Sequence, residues 1–297
     1  MMRTRTVNPE RLVPGRRSAW GMRAALATLG VVALVSVSHA EGASTRTTTT
    51  STNGVRTHDS FEWSQKLEVG KTLEIKGING DIHVMLGADK AEVTAEKHAK
   101  KSDPDEVTIE VIPTKDGVTI CAHYPAPYGK PENECAPGSG GHMNTSNNDV
   151  EVEFTVHVPA GVNIAARTVN GSIDADRLKS DADLTTVNGS IDATTTGIVN
   201  ATTVNGSVIA EIGRSTWTDP LELETVNGRI ELTLPGKVNA DVSAETVNGD
   251  ISTDFPFTVS GKINRHKIHA KIGQGGGDLK LTTVNGDIDL RGKGEKH

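Results

Sequence analysis

The chain has 297 residues, a formal net charge of −7, and only 3% aromatic residues. Nucleic acids and anionic membranes both need Lys and Arg on a partner to neutralise their phosphates. The acidic balance and the absence of a basic run after the first 40 residues therefore predict that nucleic acid is not a partner.

The first 40 residues have the order of a secretory signal peptide. Six arginines precede an apolar run over residues 24–37, and the small residues Ser38-His39-Ala40 follow it. An uncleaved anchor is the alternative, but the run is short for a membrane span, which needs about 20 apolar residues. Cleavage after Ala40 would lower the formal charge from −7 to −12. We therefore expect a periplasmic, secreted or cell-envelope protein with no integral membrane span after cleavage.

Two regions are predicted between the signal peptide and residue 160. Residues 41–57 are rich in Ser and Thr and lack an apolar period, which predicts a flexible tether. Residues 58–160 alternate apolar and polar side chains, as half-buried strands do, and form a predicted N-terminal β region.

The chain has two cysteines, Cys121 and Cys135. An even pair in an oxidising compartment predicts a disulfide, here closing a proline-rich loop within the N-terminal β region. The chain-entropy description gives such a bridge about 3 kcal/mol of stabilisation. A catalytic thiol or half of a metal site is the weaker alternative, because no Cys-x-x-Cys is present.

A four-residue motif, Thr-Val-Asn-Gly, is repeated six times after residue 160, and Gly77-Ile78-Asn79-Gly80 is an earlier variant. Successive motif asparagines lie 18, 17, 22, 21 and 37 residues apart, and the last step is close to two shorter ones. This period, with strand-forming Thr, Val and Ile and no helical apolar face, predicts an all-β solenoid over residues 161–297. Thr258-Val259-Ser260-Gly261-Lys262-Ile263 looks like a degenerate copy of the motif and its following residues. The prediction is a parallel β-solenoid-like stack of about 18–22-residue repeats, continuous with the N-terminal β region.

The parity of the repeats predicts how each coil turns. Leu223, Thr225 and Asn227 share one face, and Ile230 resumes that face after a shift of three, so Asn-Gly should form a corner or bulge. Gly is expected there because it accepts a positive φ. Stacked coils would place equivalent Thr and Asn side chains in hydrogen-bonded ladders. The predicted ladder and corner residues are Asn79, Asn170, Asn188, Asn205, Asn227, Asn248, Asn285, Gly171, Gly189, Gly206, Gly228, Gly249 and Gly286.

An antiparallel meander of hairpins is the competing fold. Asn-Gly between strands is the strongest short hairpin signal. We favour the parallel stack because a meander gives no reason for the same four residues at every turn.

The valine of each motif is the candidate contact residue. By parity it points away from Thr and Asn, so stacking would form a ridge, and exposed apolar strips of that size mark contact sites. The alternative is that the corner turns these valines inward or that another part of the chain covers them. The predicted ridge consists of Val169, Val187, Val204, Val226, Val247 and Val284.

No catalytic residue, metal site or cofactor is predicted. Acidic residues follow the corners at Asp81, Asp174, Asp192, Asp250, Asp287 and Asp289. Calcium needs six to eight converging oxygens, and the repeated Gly-Gly-x-Gly-x-Asp turns of calcium-binding solenoids are absent, so solvated carboxylates are favoured over weak cation binding. A polysaccharide-acting enzyme, which would need carboxylates paired across a groove, is the less favoured alternative.

The repeats resemble those of the bacterial putative adhesin family, a domain of unknown function with Thr-Val-Asn-Gly-(Asp/Ser)-(Ile/Val) units. The resemblance covers roughly residues 61–292 and includes Asn79-Gly80-Asp81-Ile82, the lead-in over residues 156–161 and the glycine-rich segment 273–277. It implies a β-solenoid-like exported or envelope protein and no established enzyme activity, and it transfers no functional residue.

These observations predict a non-enzymatic, adhesin-like binding or scaffolding module whose rigid surface contacts an envelope protein or a cell-wall polymer. A structural or sensing component associated with envelope stress is the alternative. The open ends of a solenoid could also pair between chains, so an oligomer is compatible with the fold.

Overall fold

A computed structural model describes residues 43–46, 50–52, 55–259 and 265–294, with side chains over 60–258 and 265–294. The predicted signal peptide, residues 1–40, lies outside the described residues. No helix in these ranges has the length and hydropathy of a membrane span. The described strands, in chain order, are β1 (Ala43–Arg46), β2 (Thr50–Thr52), β3 (Val55–Gln65), β4 (Thr72–Lys76), β5 (Ile82–Leu86), β6 (Ala91–Ala99), β7 (Thr108–Thr114), β8 (Gly117–His123), β9 (Glu134–Cys135), β10 (Gly141–His142), β11 (Glu151–Val158), β12 (Asn163–Arg167), β13 (Ile173–Leu178), β14 (Ala182–Thr185), β15 (Ile191–Thr195), β16 (Val199–Thr202), β17 (Val208–Ile212), β18 (Leu221–Glu224), β19 (Ile230–Pro235), β20 (Ala240–Glu245), β21 (Ile251–Thr253), β22 (Phe257–Val259), β23 (Lys267–Ile272), β24 (Gly277–Thr282) and β25 (Ile288–Lys293).

Two large sheets contain nearly all of these strands. Sheet I has the order β1-β3-β6-β11-β5-β13-β15-β17-β19-β25-β21, and β2 pairs with β3. Sheet II has the order β22-β23-β20-β24-β18-β16-β14-β12-β4-β8-β7. Each motif corner joins a strand of sheet II to the next strand of sheet I, so one strand from each sheet makes one coil.

The coils stack in parallel and in register. Ile173 pairs with Ile191, Ile191 with Val208, and Val208 with Ile230 along sheet I. Sheet II repeats this arrangement from β4 to β24. The parallel β-solenoid-like stack is therefore confirmed, and the antiparallel meander is wrong for the repeats. The first coil, β4–β5, comes from the predicted N-terminal β region.

Chain order and spatial order differ at the far end of the stack. β24 pairs with both β18 and β20, and β25 pairs with both β19 and β21. The last coil in the sequence thus lies between its two predecessors. The 37-residue step is long because it holds β22 and β23, which pair antiparallel with each other and with β20. Thr258 and Val259 of the predicted degenerate copy lie in the antiparallel strand β22, and its remaining residues, 260–263, lie outside the described residues.

The core lies between the sheets and is filled mainly by aliphatic side chains. Ile173, Ile191 and Ile230 are fully buried, as are the equivalent residues of most other coils. Each such side chain contributes about 1.5–3 kcal/mol on burial. The large aromatic side chains Trp63, Tyr124 and Phe154 are buried in the N-terminal β region, where the strands are antiparallel as well as parallel.

Part of the predicted tether is strand. Ala43–Arg46 and Thr50–Thr52 pair antiparallel with β3, so the tether prediction is wrong for these residues. Thr favours extended backbone, and β3 would otherwise offer an unpaired edge along its length.

Candidate binding surface

The motif threonines fix the inner side of each corner. Thr186, Thr203 and Thr225 are buried, and each hydroxyl donates to the carbonyl oxygen of a motif glycine in the neighbouring coil over 2.8 Å. The predicted Thr–Thr ladder is wrong in this respect. A buried hydroxyl needs an acceptor, and the carbonyl of the adjacent coil provides one.

The motif asparagines form the predicted ladder. In every pair of adjacent coils, the Nδ2 of one asparagine donates to the Oδ1 of the next over 2.7–2.9 Å, from Asn79 at the first coil to Asn248 at the last. The backbone bridges between these asparagines are parallel. A side-chain amide has two N–H groups and two acceptor positions, so each rung keeps hydrogen-bonding capacity directed to solvent.

The parity prediction is wrong at the corner itself. Thr225 is buried but Asn227 is exposed, so the chain turns between them and the two side chains do not share a face. The reason for glycine also differs from the prediction. A Cβ on Gly189 would lie 2.0 Å from the carbonyl oxygen of Gly171, and the same close approach recurs at the other five repeats. Among the corner glycines, only Gly80 of the earlier variant has a positive φ, of 118°.

The motif valines form an exposed row, which we call the valine ridge. Val169, Val187, Val204, Val226 and Val284 are 36–38% exposed, and Val247 at the end of the row is 57% exposed. The carbonyls of all of these valines except Val247 accept a hydrogen bond from the asparagine N–H of the next coil, as from Asn205 N to Val187 O over 2.8 Å. The corner therefore turns the valines outward and holds them on a regularly spaced backbone beside the asparagine ladder.

The first position of the row is covered. Ile78, the counterpart of the valines, is only 6% exposed and lines one cleft with Val169, Ala136 and Met143. A loop over residues 136–143 lies against this corner. The Lys76 Nζ donates to the carbonyls of Gly138 and Gly140 over 2.6 and 3.3 Å.

Buried polar contacts and the predicted disulfide hold that loop. Glu74, which lies 3.6 Å from Lys76, accepts hydrogen bonds from the Gly138 N–H and the Thr119 hydroxyl. Cys121 and Cys135 are bonded, with their Cα atoms 6.1 Å apart, so the disulfide prediction is confirmed. The disulfide thus fixes the start of the loop to the sheet, and the polar contacts of Gly138 and Gly140 fix its middle.

Sequence comparison identifies the family. The model of the Toastrack DUF4097 family matches residues 138–291, which is more than half of the chain and includes every complete Thr-Val-Asn-Gly motif. The chain belongs to this family. The Toastrack match begins inside the covering loop and leaves out the first coil.

Two solved structures show a distant similarity to this chain. A putative cell adhesion protein from Clostridium sporogenes is 14% identical, with a TM-score of 0.46 over 78% of this chain and 99% of that one. A putative adhesin from Bacteroides fragilis is 10% identical, with a TM-score of 0.34 over 79% and 97%. Comparison with curated protein sequences found no significant match.

The outer face of sheet I in this Toastrack protein is acidic. Asp174 and Asp192 are neighbours in adjacent strands, and His83 lies 3.1 Å from Asp174. Partial burial is the main cause that raises the pKa of Asp192 above its ordinary value, and repulsion from the Asp174 carboxylate raises this pKa further. Within the described ranges, no group of three or more His, Cys, Asp or Glu side chains is arranged to hold a metal ion.

Sequence reasoning missed the cover over the first rung of the Toastrack stack. Ile78 occupies the valine position, and the change from Val to Ile is the local signal that this site differs. The residues that hold the cover, Glu74 and Lys76, look like ordinary outward positions of a strand. Their partners lie more than 40 residues away, so no local pattern reveals them.

Proposed function

We propose that the protein is a non-enzymatic, adhesin-like binding module of the cell envelope, and that the valine ridge is its contact surface. The observation that supports this most directly is the row of six exposed valines beside a solvent-facing amide ladder. The motif Val recurs at every complete corner although its side chain is exposed at each of them. Apolar contacts beside regular amide groups suit an occupant with an apolar face and repeated polar groups.

The spacing favours a polymeric partner. Successive valines lie one strand apart, about 4.8 Å in a parallel sheet. An extended cell-wall glycan can meet such a row at several positions, with hydroxyl or amide groups on the ladder. An envelope protein that offers an extended segment is the alternative occupant. Location in the periplasm or outside the cell is part of the proposal and depends on the predicted signal peptide.

Binding to purified cell-wall sacculi by co-sedimentation tests the proposal. The test compares residues 41–297 with the double variant Val204→Glu plus Val226→Glu. We expect the two charges to abolish sedimentation with the sacculi and to leave the thermal unfolding transition in place, because both side chains are exposed. Val69→Glu is the matched control, since Val69 is 80% exposed and lies outside the ridge.

Three results would contradict the proposal. Unfolding of the double variant would show that the ridge is core. Equal binding by wild type and double variant would exclude the ridge as the contact surface. Absence of binding to sacculi, together with equal crosslinking of wild type and double variant to envelope proteins, would exclude both classes of occupant.

A further inference from the structure

The two sheets end at different heights at the far end of the stack. In sheet I the last described strand is β21, whereas sheet II continues beyond β20 with β23 and β22. Because β20 and β21 belong to the same coil, sheet II extends two strands further than sheet I. We call this end, formed by β21, β22 and β23, the tail step.

The inner face of the tail step is apolar and incompletely covered. Ile268, Ala270 and Ile272 face inward on β23 and alternate with charged or polar residues that face outward. Phe257 on β22 is 39% exposed. These side chains line one opening together with Ile251 of β21.

Comparison with the other coils shows what is missing. Ile251 is only partly buried, whereas its equivalents Ile230 and Ile288 are fully buried. Those residues have a strand on each side in sheet I, but β21 has a described neighbour on one side only. Two further strands in sheet I would cover β23 and β22 and complete the burial of Ile251.

We propose that a second copy of this chain supplies these two strands through the same tail step. A two-fold axis between the sheets and parallel to the strands reverses the stack and exchanges sheet I with sheet II. It therefore places the β22–β23 pair of each copy in the gap next to β21 of the other. The number of additional strands equals the number of missing ones, so the surface is complementary to itself.

The paired edges favour a second copy over an unrelated strand. β21 would lie against the partner's β22, and the same contact would occur twice, as in an isologous two-fold dimer. Both sheets would then continue through the interface, and neither would keep an unpaired edge there. A different partner would have to provide two adjacent strands with inward apolar residues of matching length.

The arrangement has a consequence for the valine ridge. An axis parallel to the strands keeps the motif corners on the same side of the stack, so the two ridges lie along one edge. The dimer does not depend on the proposed function, because no ridge residue takes part in the tail step.

Sedimentation velocity over a concentration series of residues 41–297 tests the interface. We expect a reversible dimer, and we expect Phe257→Lys to weaken its association at least about tenfold, because the charge would lie in the centre of the apolar contact. Val69→Lys is the matched control and should not change the dissociation constant. Circular dichroism of each variant checks that the fold is retained.

Crosslinking identifies the strands that meet and does not rely on a destabilising change. Ser252 on β21 and Thr258 on β22 are both exposed, and the native cysteines are bonded to each other. When Ser252→Cys and Thr258→Cys proteins are mixed and treated with a short bismaleimide, we expect the crosslinked heterodimer to predominate over either homodimer.

Several outcomes would overturn the interface. These are a monomer at every concentration, a dimer that Phe257→Lys leaves unchanged while folded, or crosslinking that predominates in the Ser252→Cys protein alone. The last result would place β21 against β21 of the partner and would contradict the exchange of sheets.

Discussion

The Nδ2 of Asn205 donates to the Oδ1 of Asn188 over 2.8 Å, and Asn205 in turn accepts from the Nδ2 of Asn227 over 2.8 Å. Each interior rung thus joins two neighbouring coils through one side chain. The ladder gives the exposed edge of the stack a continuous set of hydrogen bonds that strand pairing alone does not provide.

We predict that Asn205→Ala destabilises the protein more than Asn248→Ala. The first change removes two ladder bonds, whereas the second removes only the bond from Asn248 to Asn285 at the end of the row. Each bond contributes about 0.5–1.5 kcal/mol. Urea unfolding of both variants measures the difference, and equal losses would show that the bonds between side chains contribute little.

We predict that Gly189→Ala lowers the free energy of unfolding by about 1–3 kcal/mol or more, because the coils would have to separate to admit the methyl group. The added Cβ would meet a backbone carbonyl at 2.0 Å. Gly294→Ala is the control, since nothing lies within 4 Å of a Cβ there. Thermal unfolding compares the two. A stable Gly189→Ala protein would mean that the close approach is not essential.

We predict that removing the disulfide exposes Ile78, the covered counterpart of the ridge valines in the first coil. Cys121→Ser plus Cys135→Ser should cost about 3 kcal/mol through the unfolded chain. It should also raise amide exchange over residues 136–143 and near Ile78, because the loop over Ile78 loses one attachment. Hydrogen-exchange mass spectrometry can locate this change. An increase spread evenly over the coils would indicate general destabilisation instead of local release.

We predict an acid-sensitive contact at Asp149. Its carboxylate accepts from the N–H groups of Ser102 and Lys101 at 2.8 and 3.0 Å, and the bonds to Ser102 lower the pKa of Asp149 to about 2. Because the folded pKa lies below the ordinary value of about 3.9, the contact stabilises the fold above that value. This contribution is lost as the pH falls toward 2. Carbonyl NMR titration should give the low midpoint, and Asp149→Asn should remove that part of the acid dependence of stability.

The parallel stack could be predicted because the same four residues recur at every corner, whereas the sequence left open whether the motif valines are exposed or turned inward. Thr186, Val187 and Asn188 have the same three environments as their equivalents in other coils, and a pattern that repeats shows what its positions share. The face of Asn could not be read from parity, because a corner breaks the alternation on which parity depends. The acceptor of each Thr hydroxyl could not be predicted because it is a backbone carbonyl oxygen. Every residue has such an oxygen, so no side-chain pattern marks it.

The order of the coils and the tail step could not be predicted. Every coil offers the same strand register to a neighbour. The local sequence is therefore equally compatible with the coil of Val284 lying before or after the coil of Val247 in the stack. The distinction depends on how β22 and β23 fold back onto β20, and their outward charges and inward apolar residues look like those of any half-buried strand. The cover over Ile78 depends in the same way on a distant loop.

The coil β24–β25 follows β18–β19 and β20–β21 in the sequence but lies between them in the stack, so it joins the two earlier coils. Until β24 is synthesised, β18 and β20 have no strand to pair with between them. The pairs that β24 then forms join residues far apart in the sequence. Such non-local closure slows folding. An incomplete chain therefore lacks the strand pairs that close this region, which would suit the export that we propose for this protein.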